Sequence, residues 1–475
     1  MSIDPMQVEA TVSVTDAAGG AALFPLALAP VERLMLADDR SSHPMSFFLC
    51  FDFTGQTNRS ALIEALDEAV ERHPLLGTRV AGWPKAPCWV PCPVGPSVIL
   101  LAVDDPWPAE FAQPIDLRRQ PGLRLVIRED GRSSKWLFEI HHACCDGMGA
   151  LVFLEDMFHL YARRLGSGEV AALPRIDRAL LVDRDHFTPV AKHIESVEEG
   201  QRRRQREARG FFAAWPQRLA RRTRRGKLAV GDADWPGIVT RLFDVEQSEA
   251  IRTKVAARAC TLNDVAMGLL FRTLAEWNGR YGRVRPHSCL RILMPADLRE
   301  RADRWLPAAN RMGLCFLART VAECVDEAAL IAGVAEQIKH IRRYRLGLDF
   351  IDGVTTLVRR PWLARLLMRL PFCLATATLT NVSDPNRHMR LPFPSEQGWL
   401  RFGNLILDCW SGSPPLRPGV RAGFGVFSYN GRIGLSLRCD PRSFTLDDTR
   451  ELLESYATAW TRWADANQGS ASARR

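Results

Sequence analysis

The chain has 475 residues, 47% hydrophobic and 25% charged, with a formal net charge of +9. That length predicts two lobes of similar size, each able to bury a core, and the composition excludes a collagen-like or low-complexity chain. No run is long and apolar enough to span a membrane: the best candidate, residues 361–377, is interrupted by Arg365, Arg369 and Pro371. The basic balance fits coenzyme A, acidic carrier proteins, anionic lipid surfaces and nucleic acid alike, and does not choose among them. Twelve cysteines with no disulfide-like framework predict reduced thiols in a cytoplasm.

Residues 1–20, rich in Ala, Gly, Ser and Thr, read as a loose leader, and without a basic n-region or apolar h-region they predict no secretory signal. Order is expected from about Phe24. The aromatic-rich run 46–53 suits a buried strand. Leu62, Leu66 and Val70 recur at helical spacing within 60–72, and Pro74 ends that helix by lacking a donor and restricting His73. Residues 122–128 and 135–140 are strand-like around the turn-rich Glu129-Asp130-Gly131-Arg132, which predicts a hairpin. A tight polar segment, 141–149, follows at once, and Leu151, Leu154, Phe158 and Tyr161 then predict a helix ending near Gly166. From 171 to 227 periodicity fades and arginine accumulates, notably Arg202, Arg203, Arg204, Arg206, Arg209, Arg221, Arg222, Arg224 and Arg225. This stretch reads as a basic, partly helical connection. Beyond it, 238–243 and 288–295 are expected strands, and Thr261-x-x-Asp264 caps a helix. Residues 432–438 alternate like a strand before a helix that opens at Thr445-x-x-Asp448. Lobe bounds of 21–185 and 236–465, joined by 186–235, follow.

The segment His141-His142-Ala143-Cys144-Cys145-Asp146-Gly147-Met148-Gly149 carries the chemistry. An imidazole with a near-neutral pKa can take a proton from a hydroxyl, amine or thiol as it attacks an acyl group. Its place at a strand's end holds side chains on a sheet while letting them reach a cleft. Asp146 can fix the geometry around the histidines, and Gly147 and Gly149 permit a tight turn and close substrate approach. The bland alternative is two strand-end histidines with Asp146 capping the next helix.

His-His-x-x-x-Asp-Gly resembles the signature of the superfamily of chloramphenicol acetyltransferase, peptide-synthetase condensation domains and wax ester synthase/diacylglycerol acyltransferases. The resemblance runs from about Pro25 to Trp463. Pro114-Ile115-Asp116-Leu117 and Pro121-Gly122-Leu123-Arg124 are similar to the stretch before the signature. Thr261-Leu262-Asn263-Asp264-Val265, Pro295-Ala296-Asp297-Leu298-Arg299, Asn310-Arg311-Met312-Gly313, Thr380-Asn381-Val382-Ser383 and Ser428-Tyr429-Asn430-Gly431-Arg432 are similar, in order, to strings of the wax ester synthase and alcohol acyltransferase branch. Departures are Asp384-Pro385 in place of Gly-Pro and the absence of the plant-type Asp-Phe-Gly-Trp-Gly string.

The resemblance implies an α/β chain of two chloramphenicol-acetyltransferase-like lobes with an active-site tunnel between them. It implies a CoA-dependent O-acyltransferase with His142 as general base and His141 supporting the loop. Asp146 would pair with an arginine of the other lobe, Arg299 first and Arg291 second. Gly147 would leave room beside the tunnel, Asn263 and Asp264 would form a supporting motif, and Asn381 or Ser428 would be candidate oxyanion donors. Acyl-CoA or an acyl-phosphopantetheine would be a co-substrate, with no permanently bound cofactor, and an alcohol would accept the acyl group. A stand-alone condensation domain fed by an acyl carrier protein, and a catalytically silent carrier-binding member, are the alternatives. Cys144 and Cys145 are expected as buried thiols, and Cys88 and Cys92 lack a second pair at zinc spacing, so no metal is expected. Nucleic-acid binding lacks interleaved aromatics. The arginine run, with Phe211, Phe212 and Trp215, is expected either to capture an anionic membrane or carrier protein, or to be a solvated linker.

Overall fold

The computed structural model describes residues 23–107, 113–166, 172–222, 235–370 and 372–466. Aromatic and β-branched runs build two large sheets. In the first, Ser46–Thr54 pairs antiparallel with Ser133–His141, placing Ser46 opposite His141. Ser133–His141 forms the expected hairpin with Leu123–Glu129. Asp130 Oδ1 accepts from the amides of Arg132 at 3.0 Å and Ser133 at 2.8 Å, and Gly131 turns the chain at a φ of +88°. Ser97–Ala102 flanks this hairpin in parallel.

The other side of Ser46–Thr54 is taken by Leu405–Ser413, which carries Trp399–Phe402 and Ser395–Glu396 beyond it. The second half of the chain thus lends three strands to the first lobe's sheet. The second sheet has the order Met312–Thr320, Cys289–Asp297, Ala377–Ser383, Ala422–Tyr429, Arg432–Cys439 and Ile238–Leu242.

Each sheet has its own core. Phe51, Phe53, Trp136, Phe138 and Phe158 interlock in the first, and Leu290, Phe424, Tyr456 and Trp460 in the second. Fully burying each such side chain contributes about 1.5–3 kcal/mol. Helix Arg59–Arg72 starts at Asn58, whose side chain accepts from Ala61 N, and stops before Pro74. Leu262–Tyr281 and Leu446–Asp465 open with reciprocal capping boxes, Thr261 with Asp264 and Thr445 with Asp448.

Helix Val197–Ala213 occupies the basic connection, capped by Ser196 and Glu199. Its arginines do not form one free strip. Arg203 is buried on Glu195, Glu207 and Asp349, Arg202 reaches Glu198, Arg204 reaches Asp349, and Arg222 binds Glu451. Arg224, Arg225 and Lys227 lie outside the described residues. Gly347–Val358 and Pro361–Arg369 are two further helices laid against Pro30–Asp38, with Val31, Ile351, Val354 and Val358 packed between the first of them and that helix. All twelve cysteines are free thiols. Among the described residues no helix is long and apolar enough to cross a membrane.

Candidate active site

His141 ends its strand, and Asp146 precedes helix Gly147–Arg164, so the signature is the short loop between a sheet and a helix. His141 is fully buried. Its amide donates to Gly122 O at 2.8 Å, and its Nδ1 accepts from Ala143 N at 3.1 Å. The ring therefore braces the loop from within. His142 N donates to Met45 O at 2.7 Å, and Asn310 Nδ2 donates to the carbonyls of both His142 (2.9 Å) and Ala143 (3.0 Å). The loop backbone is thus held from both halves of the chain.

Asp146 does two things at once. Its Oδ1 caps the following helix through Gly149 N at 2.8 Å. The same carboxylate takes both arms of Arg299, at 2.8 and 3.0 Å, and the amide of Arg311 at 2.7 Å. Arg299 also donates to Ala309 O at 2.8 Å. Burial alone would raise the Asp146 carboxyl, but Arg299 overrides it and holds the group below its ordinary value of 3.8. Arg291, the second candidate partner, is turned elsewhere. It donates to Phe211 O at 2.7 Å and Ala214 O at 2.8 Å and lies over the Phe211 ring.

The His142 ring packs edge-on to Phe47 at 5.1 Å and lines a cavity of about 1100 Å³. That is slightly beyond the usual range of small-molecule pockets. The walls are mostly apolar, including Met45, Leu293, Leu314, Phe316 and Leu357. Burial lowers the His142 pKa below its ordinary 6.5, against the opposing charge of Asp146, which favours the neutral imidazole. Nδ1 is buried in the loop beside the Asn310 side chain, which leaves Nε2 as the nitrogen open to the cavity. A neutral, accessible imidazole in an apolar chamber can accept a proton.

The remaining expected residues divide. A Cβ on Gly147 would meet nothing within 4 Å, whereas one on Gly149 would lie 2.7 Å from Ala309 O, so Gly149 is the glycine that close approach requires. Asp264 and Asn263 are not brought to His142: Asp264 closes its helix cap on Thr261 N at 2.7 Å, and Asn263 Nδ2 points at Met294 Sδ. Asn381 and Ser428 do not line the cavity. On the Asn381 strand the wall is formed by Thr378 and Thr380, because alternate strand residues face opposite ways. Burial raises the Cys144 and Cys145 thiols, which makes them poor nucleophiles. Among the described residues no group of three His, Cys, Asp or Glu side chains is placed to hold a metal. Asn310, Arg311 and Ala309 carry much of the loop's support. Their signal in the sequence was the Asn310-x-x-Gly313 string, which has no chemistry of its own. His73 adds a second tie between the halves, its Nε2 3.1 Å from Asp156 and its Nδ1 accepting from Ala308 N at 2.9 Å.

No family model matches the chain. Over 345 residues it is 25% identical to the uncharacterized protein Rv2305 of Mycobacterium tuberculosis, an overlap of 69% of this chain and 75% of that protein. Among solved structures, the first condensation domain of the calcium-dependent antibiotic synthetase, in complex with a substrate analogue, matches with a TM-score of 0.65. That match has 14% identity and covers 92% of this chain and 96% of the other. A mutant starter condensation domain of rhizomide synthetase, in complex with C8-CoA, gives 0.62 at 15% identity, covering 92% and 94%. Polyketide synthase associated protein 5 from Mycobacterium tuberculosis gives 0.62 at 14% identity, covering 93% and 98%. At these identities the likeness is one of fold: the chain has the condensation-domain fold, with its two chloramphenicol-acetyltransferase-like lobes.

Proposed function

We propose that this condensation-fold chain is an acyltransferase that moves an acyl group from a thioester, acyl-CoA, to an alcohol, with His142 as general base. The observation that carries the reading is the His142 imidazole, its pKa lowered by burial, opening on a large apolar cavity from a loop clamped by Asp146–Arg299 and Asn310. Nε2 takes the hydroxyl proton as the acceptor oxygen bonds to the thioester carbonyl carbon, giving a tetrahedral oxyanion. That adduct collapses with cleavage of the C–S bond. The departing thiolate takes the proton back from the imidazolium, leaving an ester and a free thiol. No acyl-enzyme is needed, which agrees with thiols too buried to serve as nucleophiles.

A second reading replaces acyl-CoA with a carrier-protein-bound donor and allows an amine acceptor. The likeness to the first condensation domain of the calcium-dependent antibiotic synthetase favours it. A silent, carrier-binding role is less favoured, because His142 and Asp146 are both present and positioned. Free-thiol release measured over a panel of acyl-CoAs, an acylated carrier protein, alcohols and amines tests these readings. Release from acyl-CoA that depends on an alcohol supports the first. Turnover only with the carrier protein supports the second, and no release from any donor supports the silent role.

A further inference from the structure

Six large apolar side chains stand together on one face. Trp362 is 67% exposed, Phe212 66%, Trp215 55% and Leu366 52%, and Leu370 and Phe372 join them. Scattered single apolar residues on a surface mean little, but a contiguous group of this kind marks an interaction site. Trp362, Leu366 and Leu370 follow one another at four-residue spacing, which makes one stripe along helix Pro361–Arg369 and its end. Trp215 packs on Phe372 with ring centroids 5.4 Å apart, which joins the end of the basic connection to the same patch. The helix buries Ala364 against the body of the protein and turns Leu367 and Met368 into the cavity wall, so the stripe is its unpartnered side.

Two features select the occupant. The patch lies in an acid-free, arginine-bearing stretch: between Asp352 and Asp384 the chain carries Arg359, Arg360, Arg365 and Arg369 and no acidic residue. Arg359, Arg360 and Arg369 are exposed. Apolar residues flanked by cations on one side of a helix are what an anionic bilayer interface accommodates, with the rings among the acyl chains and the guanidinium groups at the lipid phosphates. The patch also surrounds an opening. Phe212, Trp215, Leu370 and Phe372 are exposed and line the cavity at the same time, so the chamber that His142 faces has its mouth there.

We infer that helix Pro361–Arg369, with Phe212, Trp215 and Phe372, is a membrane-docking face that seats the cavity mouth on an anionic lipid surface, so that a lipophilic substrate enters from the bilayer. Substrate entry rests on the acyl-transfer reading; docking does not, and the test measures binding without turnover. The full chain is sedimented with vesicles of phosphatidylcholine alone and of phosphatidylcholine and phosphatidylglycerol in equal parts, at low and at ordinary salt. Expected is binding to the anionic vesicles that weakens with salt. Trp362→Ser with Leu366→Ser should reduce that binding about tenfold or more. Arg359→Gln, Arg360→Gln and Arg369→Gln together should reduce it by roughly fivefold per arginine at low salt and flatten the salt dependence. Thermal melts check that the variants are folded, and if the serine pair melts early, Trp362→Ala carries the test. Absence of wild-type binding, equal binding to neutral vesicles, or variants that bind as well as wild type would overturn the inference. A concentration-dependent dimer abolished by the serine pair would also overturn it and assign the face to a second copy of the chain.

Discussion

Replacing Arg299 by Met should destabilise the protein by about 3–5 kcal/mol, the cost of leaving a buried charge without its partner. Burial decides which regime applies. The Asp146 side chain is 4% exposed and that of Arg299 16%, so the value of about 1 kcal/mol or less for surface pairs does not apply. After the substitution the carboxylate keeps only the amides of Gly149 and Arg311. Asp146→Asn should be milder, because Arg299 keeps a half-exposed partner in Asp297 at 3.1 Å. A double-mutant cycle read by urea unfolding should give a coupling of about 2 kcal/mol or more, with the double variant less damaged than the sum. The effect has a pH signature. A carboxyl held below 3.8 contributes stability that is complete above its unfolded pKa and lost as pH falls through its folded one, so the Arg299→Met penalty should shrink below about pH 4. Single effects that add within about 0.5 kcal/mol, or a penalty that does not change with pH, would show that the Asp146–Arg299 pair is not what holds the loop.

Three further outcomes follow from the site. The acyl-transfer rate should fall with acidity through a midpoint below pH 6.5, since burial lowers the His142 pKa and only the neutral imidazole accepts a proton; an acidic limb centred above 6.5 would contradict this. Gly149→Ala should cost about 1–3 kcal/mol in unfolding experiments, because its Cβ would meet Ala309 O at 2.7 Å, while Gly147→Ala should leave stability unchanged. Leu314→Trp, which puts an indole into the cavity wall, should shift preference toward shorter acyl chains by about fourfold for each methylene displaced, and an unchanged chain-length profile across an acyl-CoA series would place the acyl group elsewhere.

Local features were legible in the sequence because their causes are local. The hairpin turn at Asp130-Gly131, the caps at Thr261 and Thr445 and the stop at Pro74 each depend on a few neighbouring residues. The His141–Asp146 loop was legible for the same reason, with strand periodicity before it and helix periodicity after it. The pairing of Leu405–Ser413 with Ser46–Thr54 was not, since an apolar run does not name a partner more than 350 residues away. Nor was strand register. The resemblance made Asn381 a candidate oxyanion donor, but alternation along its strand puts Thr378 and Thr380 on the cavity wall. Residues 361–369 read only as a failed membrane span. With the arginines spaced as they are, the same apolar content makes an amphipathic helix, one side on the cavity and the other exposed. Arg203, Arg204 and Arg222 read as part of one charged strip because their partners Asp349 and Glu451 are remote in sequence.

Whether His142 is the general base is decided by thiol release from wild type and His142→Ala, with the best substrate pair from the panel and on protein shown by its melting curve to be folded. Loss of a positioned general base predicts a turnover about 10²- to 10⁴-fold lower, with the fold retained. Wild-type turnover in a folded His142→Ala protein would mean that another group takes the proton.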